Sequence, residues 1–179
     1  AASDVYKRQR RTRAIIEDSN GWIWVGNSDG VYVFSPDSLQ ADPQNYLTYN
    51  YNNGKLRSNE IKCIYQDTQN RIWIGSSGGG LSMCIPGTDY HNLTFKHYGT
   101  SNGLVNDMVQ AIAEDKQGNL WIATEYGISR FNPETQAFDN YFFSAYTLGN
   151  VYSDNSSCVS KNGSLLFGTN YGLLVINPE

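Results

Sequence analysis

Short apolar runs alternate with polar turns along this chain, and the alternation recurs at a long, nearly constant interval. Ile23-Trp24-Val25, Ile72-Trp73-Ile74 and Leu120-Trp121-Ile122 are apolar at every position. That fits a strand buried on both faces better than a half-exposed one, which would alternate. A polar turn such as Asp18 to Gly21 or Asp115 to Gly118 precedes each run, and a mixed apolar stretch such as Val109 to Asp115 precedes the turn. After each run come a loop ending in glycine and a third strand, for example Gly127 to Phe131 or Gly172 to Ile176. A proline, which cannot donate to a sheet ladder, then stops it. A fourth, aromatic-rich strand is expected at Tyr46 to Tyr51, Asn92 to Tyr98 and Ala137 to Phe143.

Four segments align on this grammar: Ile16 to Pro36, Tyr65 to Pro86, Ala113 to Pro133 and Cys158 to Pro178. Trp24, Trp73, Trp121 and Leu166 share a column, 49, 48 and 45 residues apart. Pro36, Pro86, Pro133 and Pro178 share a second column, and Gly30, Gly80, Gly127 and Gly172 a third. Four short strands per period match a β-propeller blade, whose sheet is sandwiched between its neighbours. The expected fold is therefore all-β, a partial propeller of about four blades of four antiparallel strands, with each tryptophan wedged between blades. The expected blades are 13–51, 59–98, 106–143 and an incomplete 150–179, behind a basic tail at 1–12. Met108 to Asp115 also has helical i, i+3, i+4 spacing, but its register with Ile61 to Asp67 and Ala14 to Asp18 favours an innermost strand.

Composition narrows the class. The 179 residues are 40% hydrophobic, 17% charged and 13% aromatic with a net charge of −4, which is not the profile of a disordered chain. No stretch approaches the roughly 18 apolar residues of a membrane helix, and no leader-like segment opens the chain, so direct membrane contact is not expected. Cys63, Cys84 and Cys158 are odd in number and lack CxxC spacing, so they read as buried small apolar residues rather than disulfides or zinc ligands. Lys7, Arg8, Arg10, Arg11 and Arg13 against Asp4 leave the first 13 residues at +4 and the remainder at −8. Such an arm could bind nucleic acid or anionic lipid. Ala1 to Gln9, however, reads as a translated cloning adaptor, and the acidic remainder makes nucleic acid an unexpected partner.

Candidate chemistry is sparse. Gly75 to Gly79 satisfies the G-x-S-x-G nucleophile elbow around Ser77, but no helix follows, as that motif requires. Ser28 lies in the same repeat column, and the later copies place Glu125 and Asn170 there, so a periodic turn explains all four. His91 and His97 lack clustered carboxylates, and the Asp-rich turns are too short for a calcium loop. No catalytic residue, metal or cofactor is expected. A linking element also repeats: Leu56 to Asn59, Leu104 to Asn106 and Leu148 to Asn150. It lies on the same face as the loops carrying Ser28-Asp29, Ser77-Gly78, Glu125-Tyr126 and Asn170-Tyr171. Loops converging on one face of a rigid scaffold are where binding resides. The ligand-binding candidates are Asn59, Asn106, Glu125, Tyr126, Asn150, Asn170 and Tyr171. The three linker asparagines also read as turn caps, and the two tyrosines as inter-blade packing or as rings able to stack on a sugar.

The columns E-D-x-x-G-x-(I/L)-W-I-G, G-(I/L) and N-P-E, with the linking Gly-Leu-x-x-Asn, resemble two-component regulator propeller repeats. These repeats occur in the periplasmic sensor halves of Bacteroidetes-type hybrid histidine kinases. The resemblance spans about residues 14–179; the fourth unit departs from it, with Ser160 for the aspartate and Leu166 for the tryptophan. There is no Gly-His or Trp-Asp pair as in WD40 repeats. The resemblance implies a noncatalytic, periplasmic ligand sensor, receiving an oligosaccharide or small molecule and working with further blades and an Ig-like domain of the same receptor. Outer blades without neighbours imply self-association. The alternatives are a polysaccharide-acting propeller lyase or hydrolase, and a protein-interaction propeller.

Overall fold

The computed structural model of the chain describes residues 10–142 and 152–178. Each repeat folds as an antiparallel meander. The first sheet is β1 (Ala14–Glu17), β2 (Ile23–Asn27), β3 (Gly30–Phe34) and β4 (Leu47–Tyr49). The second is β5 (Ile61–Gln66), β6 (Ile72–Ser76), β7 (Gly80–Cys84) and β8 (Lys96–Tyr98). The third is β9 (Val109–Glu114), β10 (Leu120–Thr124), β11 (Gly127–Asn132) and β12 (Ala137–Tyr141). The fourth has three strands, β13 (Tyr152–Val159), β14 (Leu165–Thr169) and β15 (Gly172–Ile176). The protein is an all-β partial propeller of about four blades. Met108 to Asp115 is resolved in favour of the strand, since β9 pairs antiparallel with β10.

Three apolar layers lie between successive sheets. Trp24 packs with Ile61, Ile64, Ile72 and Ile74 of the second sheet. Trp73 packs with Val109, Ile112, Leu120 and Phe131 of the third, and Trp121 with Tyr152, Leu165 and Phe167 of the fourth. Each tryptophan is thus the expected inter-blade wedge, buried between its own sheet and the next. A tryptophan in such a place must satisfy its indole N–H. Asp18, Asp67 and Asp115 accept it at 2.8, 2.7 and 2.9 Å, while the other oxygen of each carboxylate takes backbone N–H groups of its own turn. The fourth unit loses both partners together: Leu166 has no N–H to satisfy, and Ser160 holds its turn by donating to the Ser164 carbonyl at 3.1 Å.

Polar ties cross the same boundaries. The Ser19 backbone N–H donates to Gln66 Oε1 at 2.9 Å, and Thr68 donates to Glu114 through both its N–H, at 2.8 Å, and its hydroxyl, at 2.7 Å. The Asp turn of one blade thus grips the innermost strand of the next. Close approach explains the glycine after the first two Trp runs: a Cβ on Gly26 would lie 2.6 Å from Ile61 Cγ2, and one on Gly75 2.5 Å from Val109 Cγ1 and closer still to Cys63 Sγ.

Two expectations need correction, and one element was not anticipated. Cys63 and Cys84 are buried, but Cys158 is exposed on β13, because it lies outside the apolar cluster between the third and fourth sheets. The outermost strands are shorter than the aromatic segments proposed for them, pairing only over Leu47–Tyr49, Lys96–Tyr98 and Ala137–Tyr141. After Pro36 the chain turns into a helix, α1 (Pro36–Ala41), before reaching β4. Its signals are local: Ser35 caps it by accepting from the Ser38 N–H at 3.1 Å, Pro36 opens it and Asp37 sits in its first turn.

Candidate functional site

The turns between second and third strands and the links between blades share one end of the propeller. Thr124 Oγ1 accepts from the Tyr126 N–H at 3.3 Å and donates to the Gly127 carbonyl at 2.8 Å. Thr169 repeats both bonds, with Tyr171 and Gly172, at 3.1 Å each. Identical turns on adjacent blades therefore present Tyr126 and Tyr171, 58% and 73% exposed. Each ring is thus more than half open to solvent. Glu125 and Asn170 precede them in the same turns, Glu125 half-buried and Asn170 exposed.

The linker asparagines are committed to the backbone. Asn59 Oδ1 accepts from the Tyr51 N–H at 2.8 Å while its amide donates to Asn52 Oδ1 at 3.0 Å. Asn106 Oδ1 accepts from the Met108 N–H at 2.8 Å, a local Asx turn. Leu56 and Leu104 beside them are buried. Asn150 and Leu148 lie outside the described residues.

A small cavity of about 130 Å³ opens where the second and third blades meet the axis, lined by Lys62, Ser77, Met108, Val109, Gln110 and Glu125. Among the described site candidates, Glu125 alone reaches it. Lys62 and Gln110 get there through β-bulges. In β5, Ile61 pairs with Ser76 and Cys63 with Gly75, leaving Lys62 as the extra residue. In β9, Val109 pairs with Thr124 and Ala111 with Ala123, leaving Gln110 in the same role. Bulges re-aim side chains near functional sites. The available signal was a polar residue near the start of each otherwise apolar innermost strand, a column that also holds Arg13. A larger cavity of about 190 Å³, around Lys116, Asn162 and Gly163, lies at the opposite end among the Asp-type turns.

Of the other sequence features, Ser77 borders this cavity and the rest sit apart from it. The Ser77 hydroxyl lies 3.4 Å from Met108 Sδ, and Ser28 Oγ accepts from the Arg11 N–H at 3.3 Å. His97 Nδ1 is 2.8 Å from Ser82 Oγ on the outermost pair of the second blade, and burial, aided by the Arg57 charge, pushes its pKa down. His91 is exposed beside Asp89 at 3.6 Å. The described residues hold no group of three or more His, Cys, Asp or Glu able to bind a metal ion. Arg10 pairs with Asp29 at 3.0 Å.

The family model described as "Two component regulator propeller" matches residues 8–29, 55–78 and 103–126, the Trp-bearing halves of the first three repeats. Those three segments are similar to two-component regulator propeller repeats. The fourth repeat, without its Asp–Trp pair, is the one outside the match. The extracellular domain of a hybrid two-component system of B. thetaiotaomicron is 28% identical with a TM-score of 0.78, over 94% of this chain and 22% of that one. A second such domain from that organism is 25% identical with a TM-score of 0.73, over 94% of this chain and 23% of its own. A histidine kinase of Formosa agariphila is 23% identical over 169 residues, 94% of this chain and 12% of the relative. This chain therefore spans a quarter or less of those three relatives. Virginiamycin B lyase from Staphylococcus aureus, 11% identical over 97% of this chain and 58% of that one with a TM-score of 0.65, shares the fold. No helix among the described residues is long and apolar enough to cross a membrane.

Proposed function

We propose that the chain is a noncatalytic, ligand-sensing part of the propeller of a two-component receptor, working in the periplasm and recognising an oligosaccharide on its loop face. The observation that carries this reading is the pair of exposed rings, Tyr126 and Tyr171, held by the same Thr-anchored turn on adjacent blades. An exposed ring on a rigid turn offers an apolar face at little entropic cost, the arrangement a sugar ring stacks on. Glu125 and Asn170 beside them supply polar contacts, while Asn59 and Asn106 hold the turns in place. That similar structures are extracellular domains of hybrid two-component systems supports the receptor context.

Ile15 on the first blade and Leu173 on the fourth, 63% and 56% exposed, favour covering by further blades, an Ig-like domain or a second copy. Their repeat counterparts Ile64 and Leu81 are buried at 3% and 0%. A ligand shifts only an equilibrium between states that bind it differently, so the output is a changed packing of these surfaces. Calorimetric titration with a panel of neutral and acidic oligosaccharides tests the reading. Binding by the wild-type chain that drops at least tenfold in Y126A/Y171A supports it; no binding to any glycan, or equal binding by the variant, overturns it.

A further inference from the structure

The innermost strand of the fourth blade carries an enlarged bulge. Tyr152 pairs with Thr169 and Ser157 with Phe167, so residues 153–156 stand outside the ladder where β5 and β9 each spare a single residue. Asn155 within it has φ 53°, a left-handed conformation that asparagine tolerates. Opposite, residue 168 is a glycine, and a Cβ there would collide with Ser156. The bulge brings Asp154 to the axis. Its Oδ2 lies 3.1 Å from Lys62 Nζ of the second blade and 3.4 Å from Arg13 Nε of the first. Arg13 Nη1 is 3.1 Å from Glu60 Oε2 and donates to the Ile61 carbonyl at 3.4 Å. Arg13 and Lys62 are only 14% and 21% exposed, so their pull on an anion is screened less than at an open surface.

Two cations from two blades thus converge on one carboxylate delivered by a third, at the rim of a cavity that shares Lys62. With Glu60 kept on Arg13, the cluster has room for one negative charge. We propose that Arg13 and Lys62 form an anion-binding subsite at the axis, that Asp154 is its resident occupant, and that the carboxylate or sulfate group of an acidic saccharide displaces it. The bulge makes displacement feasible, because residues 153–156 leave without breaking ladder pairs, while Ser157 stays anchored by donating to the Ile112 carbonyl at 2.6 Å. Occupancy of the subsite thereby reports to the packing of the fourth blade. This rests on the loop face being where ligand arrives.

Inorganic sulfate tests the subsite by itself, at low constant ionic strength with chloride as control and thermal melting to follow folding. D154A is expected to bind sulfate at least tenfold more tightly than wild type, and D154A/K62M to lose that gain. D154N, which keeps the side-chain shape without the charge, is expected to behave as D154A. In the wild-type chain, sulfate is expected to shift the backbone amide resonances of residues 153–156 and leave those of β10 in place. No gain in D154A and D154N, a gain that survives K62M, or unmoved 153–156 resonances would each overturn the proposal. A uronate oligomer and a sulfated disaccharide, compared with neutral counterparts, then separate carboxylate from sulfate. Sulfate binding without any oligosaccharide binding would keep the subsite and discard the glycan-sensing reading.

Discussion

The Trp73 indole N–H donates to Asp67 Oδ2 at 2.7 Å inside the layer between the second and third blades. Asp67 Oδ1 meanwhile accepts from the Gln69 and Arg71 N–H groups at 2.9 Å each. One carboxylate therefore shapes the turn and orients the wedge, six residues apart. The same spacing holds for Asp18 with Trp24 and Asp115 with Trp121.

Breaking this pair has two separable costs. W73A removes the wedge and is expected to destabilise the chain by about 3–5 kcal/mol. W73F keeps most of the packing and removes one of the two donors to Asp67 Oδ2, the Arg71 Nε bond remaining, at about 0.5–1.5 kcal/mol. Urea denaturation of W73F, D67A and the double variant should show non-additive losses; additivity would mean the bond carries no coupling.

Glu114 ties the third blade to the Thr68 turn of the second with two charge-assisted bonds. E114A is expected to cost about 1.5–3 kcal/mol and T68V less, since the Thr68 N–H bond survives the loss of the hydroxyl. Hydrogen exchange should speed up in the 67–70 turn of E114A before it does in the 18–21 turn.

Gly75 and Ala123 follow the Trp strands in the same column, yet only one position has space. G75A forces a methyl against Cys63 and Val109 and is expected to lose about 1–3 kcal/mol. If G75A melts with wild type, the blades are farther apart than described.

Thiol chemistry reads the cysteine placement. Burial pushes the Cys84 thiol up to about 12 and the fully enclosed Cys63 higher, which suppresses the reactive thiolate. One thiol, Cys158, is expected to react with a small alkylating reagent in the native chain, and all three in denaturant. Mass mapping of the labelled peptide checks the assignment.

His97 gives a pH dependence of known sign. Burial lowers its pKa in the fold, so between the folded value and about 6.5 the unfolded chain binds a proton that the native chain does not. Its contribution is present above about pH 6.5 and is lost as pH falls toward the folded pKa. Comparing wild type with H97Q at pH 7.5 and 5.5 isolates it: the wild type should lose more stability on acidification.

The propeller was legible because a sheet buried on both faces leaves a dense apolar signature, and because Trp, Gly and Pro recur in register. The Asp–Trp bond was only half legible, since the sequence shows Asp18 and Trp24 as separate turn and core signals. Bulges at Lys62, Gln110 and 153–156 were not read, because an extra residue changes which face a side chain meets without changing the apolar pattern. Asn59 and Asn106 were correctly seen as turn caps, whereas the exposure of Tyr126, Tyr171 and Cys158 depends on what packs beside them in space.

Backbone amide mapping of a bound oligosaccharide tests the central claim most directly. The expected result is that the perturbed resonances cluster in the turns at 27–30, 76–80, 124–127 and 169–172, together with residues around Lys62. Perturbations concentrated instead in the Asp-type turns at 18–21, 67–70, 115–118 and 160–163 would place the ligand at the opposite end and contradict the account.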